Sequence, residues 1–359
     1  MFDSLSLPTL VLIFAGAAAA VWIAGVKLSN TTDVLSSRLG LGEALGGLIL
    51  LAIVTNLPEI AITASAALSN NLGVAIGNIL GGIAIQTVVL VVLDVFGVRG
   101  PHPLTYLAAS LVLVLEGALV MAVLTVVVMS TQLPSSLVFE RIAPGGLVIA
   151  VLWVVGLLLL NKARSGLPWQ ERGEAPESQE EPRGHSKAKK DQEAQVRGKS
   201  TGRAAAVFGA AALFTLGAGV VLERSGDAIA GDIGMSGVLF GATSLAAVTA
   251  LPEISTGITS VRLGDYKLAV SDIFGGNAFL PVLFLMASLL SGQAVLPQAQ
   301  DTDIYLTGLG ILLTAVYICG LVFRPRRRIF GMGVDSLTVL VLYAVGIAGL
   351  VAVALGGGG

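Results

Sequence analysis

Charge is what this chain has least of. Only 12% of its 359 residues are Asp, Glu, Lys or Arg, against 55% from the apolar set, whereas a water-soluble domain carries about a quarter of its residues as charges. A solvated exterior cannot be built from that supply, which excludes a soluble enzyme or a nucleic-acid module. Cysteine is nearly missing as well: Cys319 stands alone in an apolar run, so there is no disulfide framework. The two histidines, His102 and His185, fall in loops without metal-ligand spacing, and no Ser/His pair or His cluster lies in an apolar run. An intramembrane enzyme therefore has nothing to work with. Glycine, with 45 residues, and long apolar stretches are what the chain has in quantity, and mean hydropathy is +0.88.

Ten apolar segments, near 8–28, 43–69, 73–97, 104–130, 142–161, 203–222, 235–261, 267–292, 302–323 and 334–355, reach or approach the ~20 residues that cross ~30 Å of hydrocarbon. They are continuous, whereas the strands of a membrane barrel alternate over about ten residues. The expected fold is an all-α integral membrane protein of ten transmembrane helices. No basic residue precedes the first segment, only Asp3, so it does not read as a cleavable signal. Between the fifth and sixth segments, 162–203 holds ten Lys/Arg, seven Asp/Glu, Pro168, Pro176 and Pro182. So little apolar surface cannot offset the entropy of ordering, and a disordered loop is expected there. It divides the chain into 1–161 and 204–359, five segments each.

The basic residues fix an orientation. With 162–203 cytoplasmic, its side of the membrane holds 19 of the 21 Lys and Arg, among them Lys27, Arg38, Arg99, Arg262, Lys267, Arg324, Arg326, Arg327 and Arg328, leaving Arg141 and Arg224 opposite. That asymmetry predicts a multi-pass protein of the cell membrane with both termini outside. It also accounts for the cluster at 324–328 without a lipid ligand. Gly356 to Gly359 reads as a frayed end.

The chain repeats itself. Thr55-Asn56-Leu57-Pro58-Glu59-Ile60 matches Thr249-Ala250-Leu251-Pro252-Glu253-Ile254 at an offset of 194, and Gly77-Asn78-Ile79-Leu80-Gly81-Gly82 matches Ser271-Asp272-Ile273-Phe274-Gly275-Gly276 at the same offset. A duplicated unit of five crossings starts on one face and ends on the other. The second copy must then run inverted, as in membrane proteins whose sites form at mid-depth from interrupted helices.

Each repeat places a proline inside a span, where it lacks an N–H and collides with the carbonyl four residues earlier. Val54 and Val248 are thereby expected to lose helical bonds. A glutamate follows each proline. A carboxylate at the centre of a span costs ~2.5–3.5 kcal/mol on insertion scales, and no Lys or Arg lies in the span cores to offset it. A cation or a proton remains to neutralise Glu59 and Glu253. Two carboxylates with carbonyl and hydroxyl oxygens suit Ca²⁺ better than the strictly octahedral Mg²⁺. Thr55, Asn56 and Thr249 lie one turn before the glutamates and share their side of the helix. Asn78, Gly82 and Gln86 share one face of the third segment, as Asp272, Gly276 and Leu280 do on the eighth. The glycine pairs suit close helix packing.

These two Thr-x-x-Pro-Glu elements, each followed by a Gly-Gly helix and set five plus five about a cytoplasmic loop, resemble the α-repeats of the cation/Ca²⁺ exchanger superfamily, which includes Na⁺/Ca²⁺ exchangers. The α-repeats correspond to about 43–97 and 235–292. The resemblance implies alternating access, with the first and sixth spans sliding against the rest. It implies that Glu59 and Glu253 bind both Ca²⁺ and the counter-ion, and that the carbonyls of Ala52 and Ala246, seven residues earlier, take part. The sequence departs from the sodium-exchanger pattern at Asn56 and Ala250, at Gly82 and Gly276, and at Gln86 and Leu280, where oxygen-bearing side chains are altered or absent. Asp272 replaces an amide and is expected at an entrance.

The expected function is a secondary active cation antiporter that exports Ca²⁺ or a similar divalent ion and is not an enzyme. No cofactor is expected; the partners are inorganic cations and the lipid bilayer, not nucleic acid. Two titratable carboxylates exchange one divalent ion for two protons, whereas the resemblance favours Na⁺, and both counter-ions stay open. The rival reading is a passive cation channel or an ion-sensing membrane protein using the same site. Glu116, alone in the fourth segment, reads equally as proton relay or hydrogen-bonded acid, and Asp94 and Glu43 read as solvated residues near span ends.

Overall fold

Helix follows helix along the chain, as uninterrupted apolar runs require. The computed structural model describes residues 2–39, 53–137, 139–164, 166–167 and 201–356. Its principal helices are α1 (Leu7–Leu39), α2 (Leu57–Leu68), α3 (Leu72–Val92), α4 (Leu104–Ala108), α5 (Leu111–Thr131), α6 (Pro144–Arg164) and α7 (Thr201–Asp232). There follow α8 (Gly237–Phe240), α9 (Ala246–Thr249), α10 (Leu251–Arg262), α11 (Tyr266–Phe279), α12 (Leu283–Ser291), α13 (Asp301–Phe323) and α14 (Val334–Gly356). A small hairpin, β1 (Arg328–Ile329) against β2 (Met332–Gly333), joins the last two helices. Eight of the described stretches are long and apolar enough to cross a membrane, and Gly237–Thr249 with Leu251–Arg262 forms a ninth, bent by 41°. This is a multi-pass membrane protein. The tenth expected segment, 43–69, is represented by helical residues from Ile53 and by α2; its first part, with Glu43 and Ala52, lies outside the described residues, as do most of the 162–203 loop and Gly357 to Gly359.

Two elements differ from the hydropathy reading. The segment at 104–130 is two helices, because Ser110 takes an extended conformation (φ −159°, ψ 137°) and its hydroxyl accepts the Val112 N–H at 3.3 Å, an N-cap inside an apolar run. The helices α1 and α7 run to 33 and 32 residues, roughly 50 Å at 1.5 Å per residue, well past the apolar windows. Their polar ends are helical without being hydrophobic, so hydropathy misses them.

The duplication is visible in the backbone. The helices α1 and α7 begin at Leu7 and Thr201, α2 and α10 at Leu57 and Leu251, α3 and α11 at Leu72 and Tyr266, each pair 194 residues apart. The turns between the last two pairs also correspond. Asn70 (φ 60°) matches Gly264 (φ 88°), both residue types that tolerate the left-handed region, and Asn71 (φ −97°, ψ 62°) matches Asp265 (φ −89°, ψ 67°).

The helices α1 and α7 pack along one another and rest on α2 and α10. Leu10, Val21, Ile62, Leu222 and Phe240 form the apolar seam between them. The larger core surrounds α3, which is 72% buried over its most apolar stretch, while the corresponding part of α14 is only 17% buried. Leu12, Leu158, Leu213 and Val345 point outward, a surface suited to lipid. Glycine admits the closest approach at the centre: a Cβ at Gly77 would fall 2.6 Å from the carbonyl oxygen of Val238, and Gly81 presses equally on Ala242.

Asp94 corrects the expectation of a solvated residue at a span end. Its side chain is fully buried and accepts the Leu104 N–H at 2.9 Å, the Gly333 N–H at 2.7 Å and the Ser336 hydroxyl at 2.8 Å. Arg328 donates to the carbonyls of Asp94, Gly100 and Gly331, and Arg324 to that of Tyr106. Two members of the basic cluster thus pin the 94–106 loop to the hairpin, a structural task besides orientation.

Candidate cation-binding site

The two Pro-Glu motifs break their helices in the same way. Helix ends at Thr55 and at Thr249; Asn56 (φ −87°, ψ 15°) and Ala250 (φ −80°, ψ −2°) make the bend; helix resumes at Leu57 and Leu251 with proline second. Proline is preorganised for the first turn, where its missing N–H costs nothing. The glutamates therefore occupy first turns, where free N–H groups and the helix dipole favour negative charge.

The breaks bring residues of both halves together. Glu59 is 0% and Glu253 3% exposed. The Nε2 of Gln86 donates over 3.4 Å to Glu59 Oε1 and over 3.4 Å to Asn56 Oδ1. Thr249, from the other half, brings its hydroxyl near the Glu59 carboxyl and donates it to the Ala246 carbonyl at 3.1 Å. The Ala246 carbonyl also accepts the Ala250 N–H at 3.2 Å. Glu253 lies within electrostatic reach of Glu59 and of half-buried Asp272, while neither of its oxygens nor Glu59 Oε2 has a hydrogen-bond partner. Among the described residues, no Lys or Arg forms an ion pair with either glutamate, and no three acidic, His or Cys side chains converge as a preformed metal cage. Amide, hydroxyl and carbonyl oxygens must complete any coordination, as hard cations readily allow.

Two glycines that lack the expected hydroxyl have different neighbours. A Cβ at Gly276 would lie 3.1 Å from Asn56 Nδ2 and 3.3 Å from Gln86 Oε1, so the amides of the first half fill that space. At Gly82 the nearest atom is Leu280 Cδ1, at 3.4 Å, an apolar filling. Thr55 is buried at the end of its helical turn. Asn78, the repeat partner of Asp272, is wholly buried with both amide atoms unpartnered.

Several polar contacts escaped the sequence reading. Asn277 donates to the Thr87 hydroxyl at 3.1 Å, joining the halves beside Gln86; its position just after a Gly-Gly pair was the available signal. Glu223 on α7 is buried and accepts the Ser65 hydroxyl of α2 at 2.8 Å, with Arg224 Nε at 3.2 Å. Glu116 has a cation: Arg164 Nη2 lies 2.8 Å from its Oε1 and also reaches Ser271 at 3.4 Å. The partner stands at the far end of α6, and no local pattern announces it.

Broken helices from two matching halves, meeting around buried acids that form no ion pair with Lys or Arg among the described residues, define a multi-pass membrane protein with a polar centre at depth. The profile of the sodium/calcium exchanger protein family matches residues 9–161 and 203–352. The chain belongs to that family, whose members are cation transporters rather than enzymes. The inner membrane protein YrbG of Escherichia coli (strain K12) is 27% identical over 279 residues, 77% of this chain and 78% of that relative. The solved structure of the H⁺/Ca²⁺ exchanger CAX superposes with a TM-score of 0.60 at 13% identity, covering 97% of this chain and 88% of its own. That of the sodium-calcium exchanger NCX_Mj superposes with a TM-score of 0.59 at 14% identity, covering 96% and 99%. At such identities the two structural likenesses are likenesses of fold.

Proposed function

We propose that this protein is a secondary active antiporter that exports Ca²⁺ or a similar divalent cation across the cell membrane, in exchange for protons, by alternating access. The observation that carries the reading is the meeting of Glu59 with Thr249 and Glu253 from the opposite half, both acids buried and unpaired with Lys or Arg among the described residues. A charge there needs a cation or a proton, and one divalent ion balances the two protons that the same acids release. Glu59, Glu253, Thr55, Thr249, Asn56, Gln86, Ala52 and Ala246 are the proposed ligands, with Asp272 at the entrance beside Glu253.

In this reading the chain spans the membrane ten times as two inverted five-helix units, 1–161 and 204–359, with both termini outside and the 162–203 loop cytoplasmic. Support comes from the shared offset of 194 and from the charge asymmetry. The near-equal likeness to an H⁺/Ca²⁺ and to a sodium-calcium exchanger leaves the counter-ion to the site itself. Gly82 and Gly276 bring no hydroxyl, Leu280 brings no oxygen, and the Asn56 and Gln86 amides fill the space at Gly276. With no side-chain oxygen at 82, 250, 276 and 280, the site suits protons better than several sodium ions.

The test is ⁴⁵Ca²⁺ uptake into proteoliposomes driven separately by a pH gradient and by a Na⁺ gradient. Uptake above equilibrium under the pH gradient alone is expected. Uptake only under the Na⁺ gradient overturns the counter-ion assignment. Conductance without accumulation identifies a channel and overturns the antiport reading.

A further inference from the structure

The two long helices touch the motif helices through glycine. A Cβ at Gly25, on α1, would fall 2.6 Å from Cγ and 2.7 Å from Cβ of Pro252. A Cβ at Gly219, on α7, would fall 2.7 Å from Ala61 Cβ and 3.1 Å from the Pro58 carbonyl oxygen. Gly25 and Gly219 are 194 residues apart, as Pro58 and Pro252 are. The same contact is thus made twice, each time by the long helix of one half on the motif of the other, and each proline is followed directly by Glu59 or Glu253.

These positions are not explained by a general richness in glycine. Gly16 on α1 and Gly209 and Gly217 on α7 have nothing within 4 Å of where a Cβ would stand. At 25 and 219 the neighbours are a proline ring, a backbone carbonyl and a helical Ala Cβ, none of which can rotate aside. A methyl group there must lift the whole long helix off the motif. On α7 the contact continues one turn further, where Glu223 accepts the Ser65 hydroxyl at 2.8 Å.

We propose that Gly25 and Gly219 are positioning residues of the exchange cycle: they let α1 bear directly on the proline ring beside Glu253 and α7 on the backbone beside Glu59, and so seal the ion site from the face to which it is closed. This rests on the antiport reading above. The glycines bind no ion; they set how closely the two walls of the site meet.

The experiment compares Gly25→Ala and Gly219→Ala with the control substitutions Gly16→Ala and Gly217→Ala in the full chain, per amount of monodisperse reconstituted protein. The first pair should lose at least about tenfold in exchange turnover with the apparent KM for Ca²⁺ within about twofold of wild type, while the controls keep both. Ala61→Gly in the Gly219→Ala background should restore most of the turnover, a rescue that general loss of folding cannot produce. Hydrogen–deuterium exchange reads the same contact without transport: Gly219→Ala should raise exchange over 57–63, and Gly25→Ala over 251–257. Turnover equal to the controls, a defect untouched by Ala61→Gly, or unchanged hydrogen exchange in both variants overturns the sealing role alone. A wild-type protein that exchanges no ion under any gradient overturns the antiport reading and the sealing role with it.

Discussion

Arg164 Nη2 lies 2.8 Å from Glu116 Oε1, and this ion pair separates one buried acid of the membrane interior from the two at its centre. Glu116 is neutralised by a residue of its own chain. Glu59 and Glu253, equally buried, have no Lys or Arg in ion-pair contact among the described residues. The first acid is paired within the structure, and the other two are the acids that the proposed function assigns to the cation and the proton.

On the antiport proposal, the central pair is the place to abolish exchange without abolishing the fold. Glu59→Gln or Glu253→Gln keeps the shape and one acceptor oxygen but removes the charge. Each should lower ⁴⁵Ca²⁺ flux at least ~100-fold, with elution profile and thermal midpoint at or above those of wild type, because an unpaired buried charge is costly. Wild-type flux in both variants would sink the assignment.

The opposite outcome is expected at the ion pair. Arg164→Ala leaves Glu116 buried alone and should destabilise by about 2–3 kcal/mol, near the lower end of the range for broken buried pairs because Arg164 is partly exposed. Adding Glu116→Gln should recover much of the loss. Thermal unfolding of the four proteins as a double-mutant cycle checks this; strictly additive losses would show that the pair does not interact.

Asp94 gathers two backbone N–H groups and a hydroxyl. Asp94→Ala orphans those buried donors and should cost about 2–4 kcal/mol. The effect should be local at first, with faster hydrogen exchange in 97–104 and 328–336, while Ca²⁺ affinity in the protein that remains folded is unchanged.

Protons and Ca²⁺ compete for the same two carboxylates in the proposed cycle. Lowering the pH on the Ca²⁺ side should raise the apparent KM for Ca²⁺, by up to ~100-fold per pH unit where two protons leave for each ion bound. Initial rates of ⁴⁵Ca²⁺ uptake at fixed interior pH measure this. A KM flat in pH but rising with external Na⁺ would show that sodium holds the counter-ion role.

Composition, runs of apolar residues and one repeat offset already defined a membrane protein of helices, its duplication and its pair of Pro-Glu motifs. Those features are legible because they are local: a run long enough to cross hydrocarbon, a proline next to an acid, and a phrase repeated 194 residues on need no folded partner to be recognised. Tertiary structure alone decided which groups meet. It paired Arg164 with Glu116 across two helices, buried Asp94 under donors from the hairpin, put Thr249 against Glu59, and set Gly25 and Gly219 on the opposite prolines. Contacts between residues far apart in sequence depend on how helices cross. No pattern within one segment encodes that crossing, so the chain announces its acids but not which of them will be neutralised from within.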